Sequence, residues 1–156
     1  MAVARRVLLA AALPGPAAAA EEPVLDVEGA IRPPSPRRLT LSQIEATGRV
    51  ELLTRTPWTL GPQRFAGVPL RHLLDMVGAQ GTTLRAAGLN DYAVSMPIAE
   101  ALASDAFLAT RQDDAPIPVR LRGPFWIVFP WSQRPELETA EHRRRAVWQL
   151  QHIDIA

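Results

Sequence analysis

The chain has 156 residues, 47% of them apolar and 21% charged, with 17 arginines, 15 prolines and neither lysine nor cysteine. A chain of this length buries about two-thirds of its surface on folding, which is enough for one globular domain. The absence of cysteine excludes disulfides, thiolate metal sites, iron–sulfur clusters and thiol nucleophiles, and a net charge of +1 excludes a broad nucleic-acid-binding surface.

Residues 1–20 have the layout of a secretory signal peptide. An arginine pair precedes an apolar run over residues 7–13, and an A-x-A pattern ends at Ala20. The run is shorter than the stretch of about 20 apolar residues that spans a bilayer. The arginine pair alone gives only a partial likeness to a twin-arginine signal, so the general secretion route is favoured. We predict cleavage before Glu21 and a periplasmic protein of residues 21–156 that does not span the membrane.

Helix and strand patterns mix along residues 21–156, which predicts one α+β domain. Thr40 and Gln43 have the spacing of a capping box, and Pro69 and Gly78 are typical of the start and end of a helix. In chain order we predict a strand at 24–27, a proline-rich loop at 33–36, a helix from Thr40 to near Gly48, a strand at 50–54, a helix at 69–77, a strand at 92–96, a helix at 97–103, a strand at 107–110, an apolar run at 119–129 bent at Gly123-Pro124, a helix at 136–145 and a strand at 148–152.

The sequence contains no established catalytic motif. It has no G-x-S-x-G, no Gly-rich phosphate loop and no H-E-x-x-H. The three histidines lie on different predicted elements without ligand spacing. Asp113-Asp114, which precedes Ala115-Pro116, is typical of a turn, and a pair of catalytic carboxylates is the less favoured alternative. No residue is therefore assigned a catalytic or metal-binding role.

A run of three arginines, Arg143 to Arg145, ends the last predicted helix. Cations at this end suit the helix dipole, so a solvated helix end is the simplest interpretation. A surface that docks a protein partner is the alternative.

Three stretches combine aromatic and polar side chains beside turn residues: 54–58, 90–92 and 122–126. Such mixtures suit a flat heteroaromatic ligand, which needs ring faces for stacking and fixed hydrogen-bonding groups. Asp91 is positioned to accept two parallel hydrogen bonds from an amidine-like edge, as in a pterin. The alternative is that the tryptophans are core residues and Asn90-Asp91 is a turn. The candidate binding residues are Thr54, Trp58, Asn90, Asp91, Tyr92, Arg122, Gly123 and Trp126.

Seven short motifs, in a fixed order, resemble the molybdopterin-binding domain of the sulfite-oxidase fold. They are L-x-V-x-G at 25–29, R-L-T-L at 38–41, T-x-T-P-W at 54–58, F-x-G-V-P-L-x-x-L-L at 65–74, L-N-D-Y-A-V at 89–94, R-G-P-F-W-I-V-F-P at 122–130 and V-W-Q-L-x-x-I at 147–153. The chain is most similar to short exported bacterial members. The resemblance implies a mixed α+β domain with a twisted, partly barrel-like sheet, short helices, and a pterin or molybdopterin-like ligand.

The same resemblance implies that molybdenum is absent. In exported enzymes of this fold, a cysteine four residues before a tryptophan ligates the metal, and the matching residue before Trp58 is Thr54. A neutral hydroxyl does not replace a soft thiolate. The family's Arg- and His-containing segment that grips the cofactor phosphate is replaced by residues 21–23, and a further family arginine falls near Ile127.

Three functions remain open from the sequence. The favoured one is an exported, non-catalytic pterin-binding protein, because cysteine-free relatives resemble sensors that act through the periplasmic domain of a membrane signalling protein. The second is a molybdopterin-dependent oxidoreductase, which the fold suggests and the missing ligand opposes. The third is a partner-docking module with a vestigial pocket, which rests on residues 143–145.

Overall fold

The computed structural model describes residues 21–156, so the predicted signal peptide lies outside the described residues. This part of the chain forms ten strands and four short α-helices. In chain order they are β1 (Val24–Gly29), β2 (Arg37–Thr40), α1 (Leu41–Glu45), β3 (Val50–Thr54), β4 (Gln63–Pro69), α2 (Leu70–Val77), β5 (Thr83–Gly88), β6 (Ala93–Pro97), α3 (Ile98–Ala103), β7 (Phe107–Gln112), β8 (Ala115–Pro116), β9 (Trp126–Val128), α4 (Ala140–Arg145) and β10 (Leu150–Ile155), with 3₁₀ turns at Val119–Leu121 and Pro135–Leu137.

The first sheet has the strand order β2-β1-β10-β5-β6. Strands β1 and β10 are parallel, and the other pairs are antiparallel. Leu25 and Val27 alternate with more exposed residues along β1 and are fully buried. This period of two is what predicted the strand, because successive side chains of a strand point to opposite faces.

The second sheet has the order β3-β4-β7-β8, and β9 also pairs with β7. One cluster of buried apolar side chains includes Leu25 and Ile153 of the first sheet and Phe65, Val68 and Leu108 of the second. Neither sheet closes on itself within residues 21–156. The predicted α+β class is confirmed, with the strands divided between two sheets.

The two best-marked helices confirm their sequence signals. At α1, the Thr40 hydroxyl accepts a hydrogen bond from the Gln43 backbone N–H (3.2 Å), and the Gln43 side chain accepts one from the Thr40 N–H (2.9 Å). Helix α2 ends at Gly78, which has the left-handed φ of 61°. Its buried residues are Leu70, Leu73, Leu74 and Val77, which lie on one face of the helix. No helix among the described residues is long and apolar enough to cross a membrane.

Other predictions of secondary structure were incomplete or wrong. Strands β2, β4, β5 and β8 were not predicted. Strand β4 is buried on both faces along its centre, and β5 is rich in alanine, so neither has a typical strand pattern. The helix predicted from Glu136 begins only at Ala140, because Pro135 starts a 3₁₀ turn and Thr139 caps α4.

Candidate functional site

Trp58 lies at the centre of an aromatic cluster that contains all four tryptophans of the chain. Its ring centroid is 6.0 Å from those of Trp126 and Trp131 and 5.0 Å from that of Trp148. Trp126 and Trp131 are fully buried, whereas Trp58 and Trp148 are half-buried. Each tilted or edge-to-face pair contributes about 0.5–1.5 kcal/mol beyond the area it buries. The cluster therefore fixes the positions of its two partly exposed indoles, Trp58 and Trp148.

Arg122 packs against this cluster. Its guanidinium carbon lies 5.5 Å from the Trp126 ring centroid and 5.4 Å from that of Trp148, which are cation–π distances. The Arg122 backbone carbonyl accepts a hydrogen bond from the Gln149 N–H (2.8 Å). These contacts join the turn before β9 to the segment before β10.

A cavity of about 310 Å³ opens beside the two half-buried indoles. This volume is at the lower end of the range for small-molecule sites. The turn between β5 and β6 and the segment after α4 complete its walls. The lining residues are Trp58, Asn90, Tyr92, Arg143, Arg144, Ala146, Val147 and Trp148.

Tyr92 connects two walls of the cavity. Its hydroxyl donates a hydrogen bond to the backbone carbonyl of Arg144 (2.8 Å) at the end of α4. The Asn90 side-chain oxygen accepts a hydrogen bond from the Tyr92 N–H (3.4 Å). The β5–β6 turn is therefore fixed against α4, and the cavity between them is preformed.

The structure brings three of the eight candidate residues, Trp58, Asn90 and Tyr92, into the cavity lining. Arg122 and Trp126 lie in the aromatic cluster behind it. The other three, Thr54, Asp91 and Gly123, are outside the lining. Sequence reasoning did not assign Trp148, Arg143 and Arg144 to the site, although the first lies in one of the seven motifs and the others in the arginine run.

Asp91 follows Asn90 in the turn but has its backbone in the left-handed region, with a φ of 62°. It is exposed. Asn90, rather than Asp91, is thus the residue of this pair that lines the cavity.

Gly123 supports the site through its backbone. A Cβ built on this residue would overlap the carbonyl oxygen of Ile117, and no side chain fits there. Gly123 is buried and its N–H donates to the Pro118 carbonyl (2.9 Å). Its role is to let the turn that carries Arg122 approach the preceding segment closely.

Thr54 has the geometry of a structural residue. Its side chain is fully buried, donates to the Arg55 carbonyl (2.9 Å) and accepts from the Ser132 N–H (3.0 Å). Both hydrogen-bonding functions of the hydroxyl are therefore used within the fold. At the position that the resemblance assigns to the metal-ligating cysteine, the structure thus has a buried hydroxyl that is already hydrogen-bonded. Among residues 21–156, no group of three or more histidines and carboxylates is placed to hold a metal ion.

The three arginines of the run, Arg143 to Arg145, differ in their burial. Arg145 is only 7% exposed and forms ion pairs of 2.7 Å with Glu100 and Glu141. The prediction of a solvated helix end is therefore wrong for Arg145, because its side chain turns back to the two carboxylates. Arg143 and Arg144 are exposed and line the cavity.

His142, in α4, contacts residues of other parts of the domain. Its ring nitrogens lie 2.8 Å from the Thr139 hydroxyl and 3.0 Å from the Ser104 hydroxyl, and its ring packs edge-on against Phe129. Burial, and then the positive charge of Arg145, hold the pKa of His142 below its ordinary value of 6.5.

This pKa shift predicts a pH dependence of stability. As the pH falls through about 6.5, His142 takes up a proton more readily in the unfolded chain than in the folded protein. The free energy of unfolding therefore decreases. We expect the melting temperature to be lower at about pH 5.5 than at about pH 7.5, and this difference to shrink in His142→Gln. Thermal unfolding followed by circular dichroism measures both values, and an equal difference in the two proteins would contradict the assignment.

The comparisons with known proteins agree with this architecture. Among solved structures, the chain is similar to the sulfane dehydrogenase SoxCD from Paracoccus pantotrophus, with a TM-score of 0.60 and 18% sequence identity over 85% of this chain. The match covers 38% of the SoxCD chain, and at this identity it shows the fold alone. No curated protein matches the sequence. The family model described as "Oxidoreductase molybdopterin binding domain" matches residues 13–133, and the chain therefore belongs to that family.

Proposed function

We propose that the protein binds the pterin ring of a molybdopterin-type ligand in the cavity beside Trp58 and that it performs no molybdenum catalysis. The observation that carries this proposal is the cavity itself, which is lined by the aromatic side chains of Trp58, Tyr92 and Trp148 together with Asn90. Family membership supports a molybdopterin-type ligand. The Thr54 hydroxyl already donates and accepts hydrogen bonds within the fold, which supports a function of this protein without the metal.

The lining suits both parts of a pterin. The two half-buried indoles offer apolar faces that are held in place by the aromatic cluster. The Asn90 amide has an NH₂ group and a carbonyl oxygen, which match the alternating acceptors and donors at a pterin's edge. Stacking supplies affinity and the amide supplies orientation.

Export and signalling are further parts of the proposal. The signal-like layout of residues 1–20 supports a periplasmic protein. We propose that a membrane signalling protein contacts the exposed residues at the cavity, among them Asn90, Arg143 and Arg144, through its periplasmic domain and so distinguishes the occupied from the empty state. N-terminal sequencing of protein recovered from the periplasm tests the first step, and Glu21 is the expected first residue.

A calorimetric titration tests binding. Purified protein is titrated with 6-hydroxymethylpterin in its oxidised and tetrahydro forms, and tryptophan fluorescence is recorded in parallel. We expect one ligand per chain and quenched fluorescence, since two of the four tryptophans line the cavity. Absence of both heat and quenching at millimolar pterin would overturn the proposal.

The alternative function, a molybdopterin-dependent oxidoreductase, is favoured by the family and is tested by Thr54→Cys. We expect no stoichiometric molybdenum in this variant when it is made in a molybdenum-replete host. Residue 54 is fully buried and outside the cavity lining, so a thiol there does not face the ligand. Elemental analysis is the measurement, with a cysteine-containing enzyme of the same fold from the same host as the control. One molybdenum per chain would favour the oxidoreductase.

A further inference from the structure

We propose that the free edge of strand β3 binds an extended segment of a partner protein, which pairs with residues 50–52 as an added strand. The segment places an apolar and an acidic side chain in a second cavity, of about 360 Å³, that opens beside this edge. This cavity shares no lining residue with the cavity beside Trp58, so the inference does not depend on the proposed function.

The first observation is that main-chain groups of β3 face away from its sheet. Strand β3 is the first in the order β3-β4-β7-β8. Leu53 lies opposite Arg64 of β4, and the Arg64 carbonyl accepts a hydrogen bond from the Asp113 N–H (2.9 Å), on the β7 side of β4. The Leu53 carbonyl instead accepts one from the Gln133 side chain (2.7 Å). Because alternate residues of an antiparallel strand face the same side, the N–H and C=O of Glu51 also face away from β4.

The open part of this edge lies around Glu51. The segment after β9 covers the end of the strand, where the Ser132 hydroxyl accepts a hydrogen bond from the Arg55 N–H (2.8 Å). Among residues 21–156, no such bond reaches the main chain of Glu51 from this side. The apolar side chains of Val50 and Leu53 are 46% and 58% exposed. Unpaired main-chain groups beside exposed apolar side chains are the features by which a sheet edge binds another strand.

The second observation is the cavity beside this edge. Its volume is in the range of small-molecule sites, so it has room for a side chain of a bound segment. Residues 50–52 belong both to the cavity lining and to the open edge. Alternate side chains of a strand that pairs with them therefore point towards the cavity. The apolar part of the lining includes Val50, Leu52, Leu102, Ala106, Phe107 and Pro130.

The third observation is the charge of the cavity lining. Each of its two carboxylates lies near an arginine, since Asp105 is 3.0 Å from Arg134 and Glu51 is 4.0 Å from Arg64. Arg71 also lines the cavity and is exposed. Its guanidinium group has no hydrogen bond or ion pair to any residue that the structure describes. Arg71 therefore favours a partner segment with an acidic side chain next to an apolar one.

A second copy of the chain is the less favoured occupant of this edge. If two β3 strands paired in antiparallel fashion about Glu51, the two Glu51 carboxylates would lie opposite each other, which is destabilising. Pairing about Leu53 would displace the Gln133 side chain from the Leu53 carbonyl. The inference therefore assigns the edge to a different protein.

Fluorescence anisotropy with labelled peptides tests the charge preference. The probe T-V-T-D-T-V-T has valine and aspartate on one face of a strand and threonine on the other. Two comparison peptides have asparagine or lysine in place of the aspartate. We expect the aspartate peptide to bind about fivefold more tightly than the asparagine peptide at low salt, and the lysine peptide to bind most weakly.

The variant R71Q is expected to abolish this fivefold difference, so that the aspartate and asparagine peptides bind equally. R85Q is the matched control, because Arg85 is an exposed arginine of β5, in the other sheet, and lines neither cavity. R85Q is expected to keep the full difference.

The variant E51P tests the strand pairing. Proline at this position removes an N–H that faces away from β4, and edge strands tolerate such a proline. We expect E51P to bind the aspartate peptide about tenfold more weakly, whereas E51Q, which keeps the N–H, binds it as the unaltered protein does. Circular dichroism compares the folding of the two variants. As a measurement on the unaltered protein, the Glu51 amide is expected to exchange its hydrogen more slowly when the peptide is bound.

Several results would overturn the inference. They are equal binding of the aspartate and asparagine peptides, unchanged binding by E51P, unchanged hydrogen exchange at Glu51, or no binding of any peptide at millimolar concentration. A dimer in analytical ultracentrifugation that dissociates in E51P would identify a second copy as the occupant and would also overturn it. None of these results affects the proposal of pterin binding, which concerns the other cavity.

Discussion

Replacing Trp58 with alanine is expected to weaken pterin binding about 100-fold. Trp58 lines the cavity, and its ring is held by contacts with the three other tryptophans. Stacking of a base on one aromatic side chain contributes about 1–3 kcal/mol, which corresponds to a loss of roughly 5- to 150-fold. Trp58→Phe keeps a stacking face and is expected to lose about fivefold or less. Calorimetric titration of both variants with 6-hydroxymethylpterin is the measurement.

Trp131→Phe is the matched control for this prediction. Trp131 belongs to the same cluster and is fully buried, but it does not line the cavity. Its indole N–H donates to the Leu137 carbonyl (3.0 Å), a bond that phenylalanine cannot make. The variant is expected to unfold at a lower temperature and to bind pterin with nearly unchanged affinity. Normal binding by Trp58→Ala would show that the cluster is only part of the core.

Gly67→Ala is expected to lower the free energy of unfolding by about 3 kcal/mol and the melting temperature by about 10 °C. Gly67 lies in β4 opposite Ala109 of β7, where the pairing register shifts. A Cβ on Gly67 would overlap the Leu108 carbonyl oxygen and come within 3.0 Å of the Ala109 Cα. Because these atoms are backbone in the middle of a sheet, they cannot move aside without breaking strand pairing.

Gly61→Ala is the comparison for this variant. Gly61 is exposed and has a φ of 64°, and apart from its two chain neighbours no described residue has an atom within 4 Å of a Cβ added to it. The substitution carries only the cost of a left-handed backbone, about 1 kcal/mol. Urea unfolding of both variants separates the close approach at Gly67 from the general cost of replacing glycine. Equal losses would contradict the explanation.

Local patterns predicted the elements that have one buried face. Strand β1 and helix α2 were found because their apolar residues repeat with the period of a strand or a helix. Strand β4 was not found, because its central residues are buried on both sides and show no alternation. Burial on both faces depends on neighbours such as β3 and β7, and β7 is distant in sequence.

The residues of the candidate site were likewise predicted only in part. Mixtures of aromatic and polar residues located Trp58, Asn90 and Tyr92, which line the cavity. The choice between Asn90 and Asp91 depends on the backbone angles of one turn, which the sequence does not specify. The environment of Arg143 and Arg144 depends on which carboxylates pair with Arg145, and one of these, Glu100, is 45 positions away in the sequence.

The position of β10 in the first sheet has a consequence for the order of folding. Strand β10 lies between β1 and β5, and it pairs Asp26 with His152. During synthesis, β1 and β5 can each pair early with a neighbour in sequence, β2 and β6, but their other edges must wait for β10. Pairings between such distant residues form slowly, because the intervening chain must first be closed into a loop. Residues 146–148, which line the cavity just before β10, share this delay, so the cavity walls are completed late in folding.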